Sequence, residues 1–274
     1  MENSSNTSAK QQEAIEQQIQ NWPQKSWEIM SRLRKTNPLI QCITNYVSID
    51  IMANTLLAAG ASPAMVSSSE EIPEFTPQVH PLCINAMKLA TQLAVQHRKP
   101  WVLDPVATGS SGFRLRACLD LLALKPTVVR GNASEIIALA SASLDSLHES
   151  LDALEAGKSL AQASGAVVAV SGDVDIVTDG NQVIGAHNGV PIMQQITATG
   201  CSVTALIAAF VAVEPTHALE ATVSALSIFG IVGELGMESE KGPASLRVNL
   251  IDSLYGLDEG TVDHRVKVSS LFRS

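Results

Sequence analysis

The sequence predicts an α/β fold in which a mostly parallel central sheet carries helices on both faces. Apolar strand-like runs alternate with helix-like segments along the chain, and no internal repeat interrupts the alternation. The run from Ala166 to Val170 is too apolar for a strand with a solvated face, so we expect it inside the sheet. Strands that alternate with helices over this length are typical of a parallel sheet covered on both sides.

The first half of the chain carries two helix signals and two strand signals. Apolar residues at i, i+3, i+4 and i+7 give segment 49–56 one buried helical face, and Gly60 is suited to end that helix. The segment 101–104 is typical of a short buried strand, and helical spacing recurs over 115–122. The segment 127–130 then predicts a second strand, which leads into another helix.

The second half predicts a hairpin followed by helices. The turn sequence Asp179-Gly180-Asn181 separates two strand-like segments, 176–178 and 182–186. Asp-Gly pairs favour the tight turns that join antiparallel strands, so we expect a hairpin here. Three helices are predicted after it, over 201–210, 218–235 and 243–255.

Composition and charge exclude several classes of function. Eighteen Lys and Arg against 27 Asp and Glu give a net charge of −9, which supplies no attraction for a phosphate backbone. Four widely separated cysteines, without a CxxC pair, argue against a zinc module or a disulfide scaffold. No continuous apolar run reaches the roughly 18 residues of a membrane span, and no secretory signal is visible. We therefore expect a cytoplasmic protein that binds neither nucleic acid nor membranes.

The chain is expected to form one domain after a polar tail. Residues 1–26 are polar and are predicted to be disordered, whereas the composition stays even over 27–274 without a linker. Hydrophobic residues make up 46% of the chain and charged residues 16%, so a large core can form. We assign residues 27–274 to that single domain.

The strongest local signal for a site is the run from Thr197 to Cys201, in which small residues precede an apolar helix. Ligands of α/β proteins gather at the C-terminal ends of strands. The free amides and the dipole at a helix start favour anions such as a phosphoryl group. The same field is expected to lower the pKa of the Cys201 thiol. From spacing alone, a tight turn that leads into a core helix explains the run equally well.

Asp104, Arg130 and Glu135 also follow predicted strands. The two carboxylates can share a Mg²⁺ ion, because magnesium commonly takes one or two carboxylates while phosphate completes its shell. The guanidinium of Arg130 can contact phosphate in a fork geometry. The simpler interpretation is that both acids cap turns or helices and that Arg130 pairs with a surface acid.

A series of motifs occurs in order along the chain, at Pro38-Leu-Ile-Gln-Cys-Ile-Thr-Asn, Gly60-Ala-Ser-Pro-Ala-Met, Leu103-Asp-Pro-Val, Arg130-Gly-Asn-Ala-Ser-Glu, Val170-Ser-Gly-Asp-Val-Asp and Thr199-Gly-Cys. From about Trp27 to the C-terminus, this series resembles the hydroxyethylthiazole kinases. Phrases such as Ile196-Thr-Ala-Thr-Gly-Cys are most similar to the plant branch of that family.

The resemblance implies a ribokinase-like fold and a reaction. ATP would phosphorylate the hydroxyethyl group of 4-methyl-5-(2-hydroxyethyl)thiazole for thiamine salvage, with Mg²⁺ as cofactor and a homotrimer as the assembly. By match of position, the resemblance assigns catalysis to Cys201, thiazole binding to Met65 and Ala198, ATP binding to Arg130, Ser171 and Gly200, and the magnesium neighbourhood to Asp104 and Glu135. Ala198 and Ser171 often appear in the family as Gly and Thr.

One departure from the family pattern leaves alternatives open. The family has a Gly-Thr turn and a helical lead-in where this chain passes from Asn85 directly to a predicted helix over 87–95. A strand predicted over 82–84 would therefore be joined too closely to that helix. The alternatives are a weakly active or non-catalytic homologue, a ribokinase-like kinase for another small alcohol, or the hydrate dehydratase of the same fold. Met65 and Cys201 favour the thiazole branch.

Overall fold

The computed structural model describes residues 21–66, 68, 72–75, 84–144, 152–238 and 242–271. Its helices are α1 (Trp22–Thr36), α2 (Ile49–Ala59), α3 (Ile72–Phe75), α4 (Ile84–Gln96), α5 (Gly112–Leu122), α6 (Ala133–Ser143), α7 (Ala153–Ser164), α8 (Thr199–Val213), α9 (Ala218–Met237), α10 (Pro243–Gly256) and α11 (Glu259–Arg265). Its strands are β1 (Leu39–Gln41), β2 (Ser62–Ala64), β3 (Val102–Leu103), β4 (Val128–Asn132), β5 (Val167–Ser171), β6 (Asp175–Thr178), β7 (Val183–Ala186) and β8 (Val268–Ser270).

The strands form a six-stranded sheet in the order β3-β4-β5-β6-β7-β8 and a separate parallel pair, β1-β2. The α/β class is confirmed. β3, β4 and β5 pair in parallel, because helices α5 to α7 return the chain across the sheet between them. The remaining three pairings are antiparallel. β6 and β7 form the predicted hairpin, and Gly180 in its turn has the φ of +92° that glycine accommodates readily.

Alternation along the strands divides the core into two layers. In β5, Val167 and Ala169 face the larger hydrophobic cluster, whereas Val168 and Val170 face the other one. This alternation follows from the two-residue period of a strand. The first layer contains α1, α2, α8 and α9, and the second contains α4 to α7. Both faces of the sheet are therefore covered, as the apolar run at β5 predicted.

Helix α9 runs through the first layer. It is the one helix, within the described ranges, that is long and apolar enough to cross a membrane, and 78% of its most apolar window is buried inside the protein. Its sequence does not form a continuous apolar run, because Glu220 and Glu234 interrupt the apolar residues. Burial against α1, α8 and α10 identifies α9 as a core helix.

Two boundaries differ between the sequence prediction and the structure. The domain is predicted to begin at residue 27, and α1 begins at Trp22, which is 1% exposed within the core. Pro23, at the start of the helix, suits its first turn. A strand was expected over 82–84, but Ile84 is the first residue of α4. Residues 82 and 83 lie outside the described residues, as do residues 1–20 of the predicted tail.

Candidate functional site

A cavity of about 600 Å³ lies between β1 and β3, beside the start of α8. Its lining is mostly apolar and includes Trp101 and Leu121. Thr44, Asp104 and Cys201 contribute polar groups at one end. The loop after β3 supplies the carboxylate and the first turn of α8 supplies the thiol, so two segments singled out from the sequence meet at this cavity.

The start of α8 is fixed by hydrogen bonds around Ala198. This residue has φ +65° and ψ +18°, in the left-handed region where glycine is the usual residue. The backbone N–H and the hydroxyl of Ser202 both donate to the carbonyl of Ala198, at 3.0 and 3.1 Å. The hydroxyl of Thr199 donates to the carbonyl of Met193 at 2.9 Å. Cys201 is therefore held in the first helical turn.

The environment of Cys201 corrects one expectation from the sequence. Burial and the nearby charge of Asp104 raise the pKa of its thiol above the usual value. Hydrogen bonds from Ser48 and Thr44 and the charge of Arg130 act in the opposite direction but are outweighed. The prediction that the helix start would lower this pKa is therefore wrong, because desolvation destabilises the thiolate by more than these groups stabilise it.

Arg130 lies against Gly200 and Ser171. Its Nε and Nη2 donate to the Ser171 hydroxyl at 3.1 and 2.7 Å, and Ser171 is the last residue of the neighbouring strand, β5. A Cβ atom on Gly200 would lie 2.7 Å from Nη1 of Arg130. Glycine at 200 therefore allows the guanidinium to reach the first turn of α8. A phosphate bound there would meet a guanidinium and free helix amides together.

Asp104 is largely buried, and the described residues provide a hydrogen-bond partner to one of its two oxygens. Its Oδ2 accepts a hydrogen bond from the Thr204 hydroxyl at 2.7 Å and lies 3.7 Å from Nη1 of Arg130. Its Oδ1 is buried and has no hydrogen-bond partner within the described part of the chain. Burial raises the pKa of this carboxyl, although Arg130 and Thr204 lower it in part. A buried, unpartnered carboxylate oxygen is a suitable ligand for Mg²⁺.

Glu135 has both oxygens occupied by backbone amides. Oε2 accepts from the N–H of Asn132 at 2.9 Å, and Oε1 accepts from the N–H of Ala107 at 2.8 Å. The Asn132 side chain accepts in return from the N–H of Glu135 at 3.0 Å, which completes a capping box at the start of α6. The capping interpretation is confirmed for this residue, and a magnesium ion would have to use its remaining lone pairs.

The structure brings some of the predicted site residues together and separates others. Arg130, Gly200, Ser171, Asp104 and Cys201 form one connected group. Met65, which follows β2, and Ala198 do not line the cavity. They are partly buried against two different hydrophobic clusters. In the described ranges, no three His, Cys, Asp or Glu side chains cluster as a ready-made metal site.

Sequence reasoning missed the hydroxyl groups that hold the site. Thr204 contacts Asp104, and Ser48 and Thr44 contact Cys201. The signal for Thr204 was its spacing of one helical turn from Gly200, which places it on the same side of α8. Ser48 and Thr44 are distant in sequence from Cys201, and no periodicity joins them to it.

Comparison with known proteins connects this geometry to a family. Residues 30–260 match the model of the "Hydroxyethylthiazole kinase family". The hydroxyethylthiazole kinase of Arabidopsis thaliana is 61% identical over 266 residues, covering 91% of this chain and 96% of the relative. That of Zea mays is 59% identical over 263 residues, covering 90% and 94%. This high identity does not favour the non-catalytic alternative.

Solved structures agree with the fold. The hydroxyethylthiazole kinase structure from Pyrococcus horikoshii is 38% identical and has a TM-score of 0.83, with 89% of this chain and 98% of that chain covered. A ribokinase-like superfamily protein from Enterococcus faecalis is 13% identical, with a TM-score of 0.55 over 83% of this chain and 88% of that one. The second similarity concerns the fold alone, and it confirms the ribokinase-like architecture.

Proposed function

The chain belongs to the hydroxyethylthiazole kinase family, and we propose that it transfers a phosphoryl group from ATP to an alcohol. The acceptor is the hydroxyethyl group of 4-methyl-5-(2-hydroxyethyl)thiazole, and the product serves thiamine salvage. The proposal rests on one observation: Arg130, Gly200, Asp104 and Cys201 lie close together at the start of α8. A cationic side chain, a helix start and a carboxylate can supply the positioning and charge neutralisation that phosphoryl transfer depends on, and a thiolate can take the proton of the alcohol.

Arg130 and the first amides of α8 are proposed to bind the phosphates of ATP. The two hydrogen bonds to the Ser171 hydroxyl orient the guanidinium, and Gly200 leaves room beside it. Phosphoryl transfer depends mainly on positioning and charge neutralisation. A guanidinium fixed next to free helix amides supplies both to the oxygens of the transferred group. Ser171 thus acts on ATP through Arg130 as well as by any direct contact.

Cys201 is proposed to take the proton of the acceptor alcohol. The alcohol loses its proton late in the transfer, so the acceptor need not be a strong base. The raised pKa keeps the sulfur protonated in the free protein at neutral pH. The hydroxyls of Ser48 and Thr44 touch the sulfur and can donate to it when it is ionised. The rate is therefore expected to rise with pH as more of the sulfur becomes thiolate.

Asp104 is proposed to contact the magnesium ion that accompanies ATP. When bound, Mg²⁺ neutralises charge on the phosphate oxygens. The unpartnered Oδ1 of Asp104 fits such an ion directly or through water. Glu135 belongs to the same neighbourhood, since its charge acts on Asp104. Its two amide hydrogen bonds shape the loop after β3, so we assign it that structural role first.

We further propose that residues 22–274 act as one domain in a cytoplasmic homotrimer, with Met65 and Ala198 contacting the thiazole at a subunit boundary. Tyr46 and Val47 support this assembly. They are 92% and 69% exposed and directly follow Asn45, which lines the cavity. Large apolar side chains exposed beside a site are typical of an interface. Light scattering is expected to give a trimer mass, and a monomer mass would contradict this assembly.

A coupled assay of ADP release, with and without the thiazole, tests the proposed function. We expect release to depend on the thiazole and to fall strongly in Cys201→Ala, while nucleotide affinity changes little. Cys201→Asp is expected to keep activity, because a carboxylate can take the same proton. Cys118→Ala is the matched control, since Cys118 also lines the cavity but has no proposed role. Thiazole-independent release, or normal turnover in Cys201→Ala, would contradict the proposal.

A further inference from the structure

We infer that Thr204 is a positioning residue that fixes which oxygen of Asp104 faces the magnesium ion. The inference rests on the proposed function, because it concerns the metal that accompanies ATP. Thr204 lies on α8, one turn after Gly200 and three residues after Cys201. It is 8% exposed, and its hydroxyl is 2.7 Å from Oδ2 of Asp104. Thr204 thus joins α8 to the loop after β3 by a hydrogen bond.

The hydroxyl of Thr204 has one hydrogen and two acceptors within reach. Oδ2 of Asp104 lies at 2.7 Å, and the carbonyl of Gly200 lies at 3.0 Å. A helical threonine ordinarily donates to the carbonyl four residues earlier. Here the carboxylate is closer and is charged, and hydrogen bonds to a charged acceptor are the stronger ones. The Thr204 hydroxyl therefore donates its hydrogen to Oδ2 of Asp104.

This hydrogen bond determines the orientation of the carboxylate. The two oxygens of Asp104 share one rigid plane, so holding Oδ2 also fixes the position of Oδ1. Oδ2 is committed to Thr204 and faces Arg130 at 3.7 Å, while Oδ1 remains buried without a partner in the described ranges. Side chains that orient a metal ligand in this way typically change metal affinity by about 10- to 100-fold when removed.

The link also couples the metal to the thiol. Thr204 and Cys201 are carried by the same helix, and the first turn of that helix is fixed by the bonds around Ala198. A single rigid element therefore sets the separation between the sulfur and the oriented carboxylate. Loss of the hydroxyl would free the carboxylate to rotate without moving Cys201. The expected defect thus lies in metal affinity, and not in thiazole binding.

The test measures Mn²⁺ binding, as a stand-in for Mg²⁺, by electron paramagnetic resonance in the presence of ADP. Thr204→Val keeps the shape and removes the hydroxyl, and we expect it to weaken Mn²⁺ binding about tenfold. Thr204→Ser restores the hydroxyl and is expected to bind within about twofold of the natural protein. The matched control is Thr222→Val, because Thr222 is also buried in a helix but donates only to a backbone carbonyl. It is expected to leave Mn²⁺ binding unchanged.

A double-mutant cycle separates positioning from general destabilisation. In an Asp104→Asn background, Thr204→Val is expected to add little further loss, since the oriented carboxylate is already gone. Additive losses, normal binding in Thr204→Val, or failure of Thr204→Ser to restore binding would each overturn the inference. If Mn²⁺ binding follows the expected pattern but no thiazole-dependent ADP appears, the proposed function fails while the role of Thr204 stands.

Discussion

Asp104 and Glu135 follow neighbouring strands of one sheet and yet have opposite surroundings. Both oxygens of Glu135 accept backbone amides, and its partner Asn132 completes the cap of α6. Asp104 has one oxygen held by Thr204 and one buried oxygen without a partner in the described ranges. Burial raises the pKa of Asp104, whereas Glu135 stabilises the start of a helix. Glu135 therefore stabilises the fold, whereas the buried charge of Asp104 destabilises it.

The difference shows that position at a strand end does not by itself make a carboxylate a metal ligand. Hydrogen-bond partners decide whether a carboxylate can bind a metal, because a carboxylate already satisfied by two amides offers a cation less than one with an unpartnered oxygen. A buried charge that lowers stability is retained where function needs it. The two carboxylates are therefore expected to respond differently when each is replaced by its amide. Asp104→Asn should mainly lower turnover, and Glu135→Gln should mainly lower stability.

The largest effect is expected for Asp104→Asn. Turnover should fall about a hundredfold or more, because the contact to magnesium supplies several kcal/mol of charge stabilisation. The melting temperature should be unchanged or raised. Since folding raises the pKa of Asp104, its ionised form opposes folding at every pH above that raised value, and Asn removes this cost.

Turnover and thermal melting of the same preparation check both halves of that prediction. Asp120→Asn is the control, because Asp120 is an exposed carboxylate paired with Lys88. That substitution is expected to leave turnover unchanged. An Asp104→Asn protein that melts several degrees lower and turns over normally would make Asp104 a structural residue like Glu135.

A smaller effect is expected on the thiol. The charge of Asp104 contributes to the raised pKa of Cys201, so Asp104→Asn should move the pH midpoint for alkylation of Cys201 to lower pH. Glu135 is not among the groups that shift this thiol, and Glu135→Gln should leave the midpoint in place. Iodoacetamide labelling as a function of pH measures this midpoint, and Cys201→Ala gives the background from the other cysteines. Equal shifts in both variants would remove the distinction between the two carboxylates.

The smallest effect is expected for Glu135→Gln, on stability. An amide can keep only one of the two hydrogen bonds and loses the charge at the helix start, which costs about 0.5–2 kcal/mol. For a chain of this size that lowers the melting temperature by about 1–8 °C. Glu155→Gln is the matched control, since Glu155 holds the same place in α7 but is exposed and has no reciprocal cap. Equal melting of the two variants would argue against the capping role.

Much of the fold was predictable because apolar spacing reports directly on burial. The hairpin β6-β7, the interior strand β5 and the core helices α8 and α9 all followed from local patterns. The start of α1 was missed although Trp22, Ile29 and Leu33 lie on one helical face, because Trp22 directly follows a polar segment and the polar Ser26 interrupts the apolar pattern. The strand predicted over 82–84 is wrong at Ile84, because α4 begins at this residue, about one turn before the helix predicted over 87–95.

Some residues that meet at the candidate site could be predicted from the sequence, but their connections could not. Sequence placed Arg130, Asp104 and Cys201 after strands or at a helix start, and all three meet. It could not show that Glu135 has both oxygens occupied, because Ala107 lies 28 residues away in the chain. Nor could it give the pKa of Cys201, since burial depends on how the whole domain packs. Pairings between distant segments are set by tertiary packing.

The most direct test of these roles is the dependence of rate on free Mg²⁺ in Asp104→Asn and Glu135→Gln, at saturating ATP and thiazole. We predict that half-saturating Mg²⁺ rises about tenfold or more in Asp104→Asn, because we propose that the unpartnered oxygen of this residue is a ligand of the ion. In Glu135→Gln it should stay within about twofold, since both oxygens already serve the backbone. A large rise in Glu135→Gln with an unchanged value in Asp104→Asn would reverse the two roles and contradict the account.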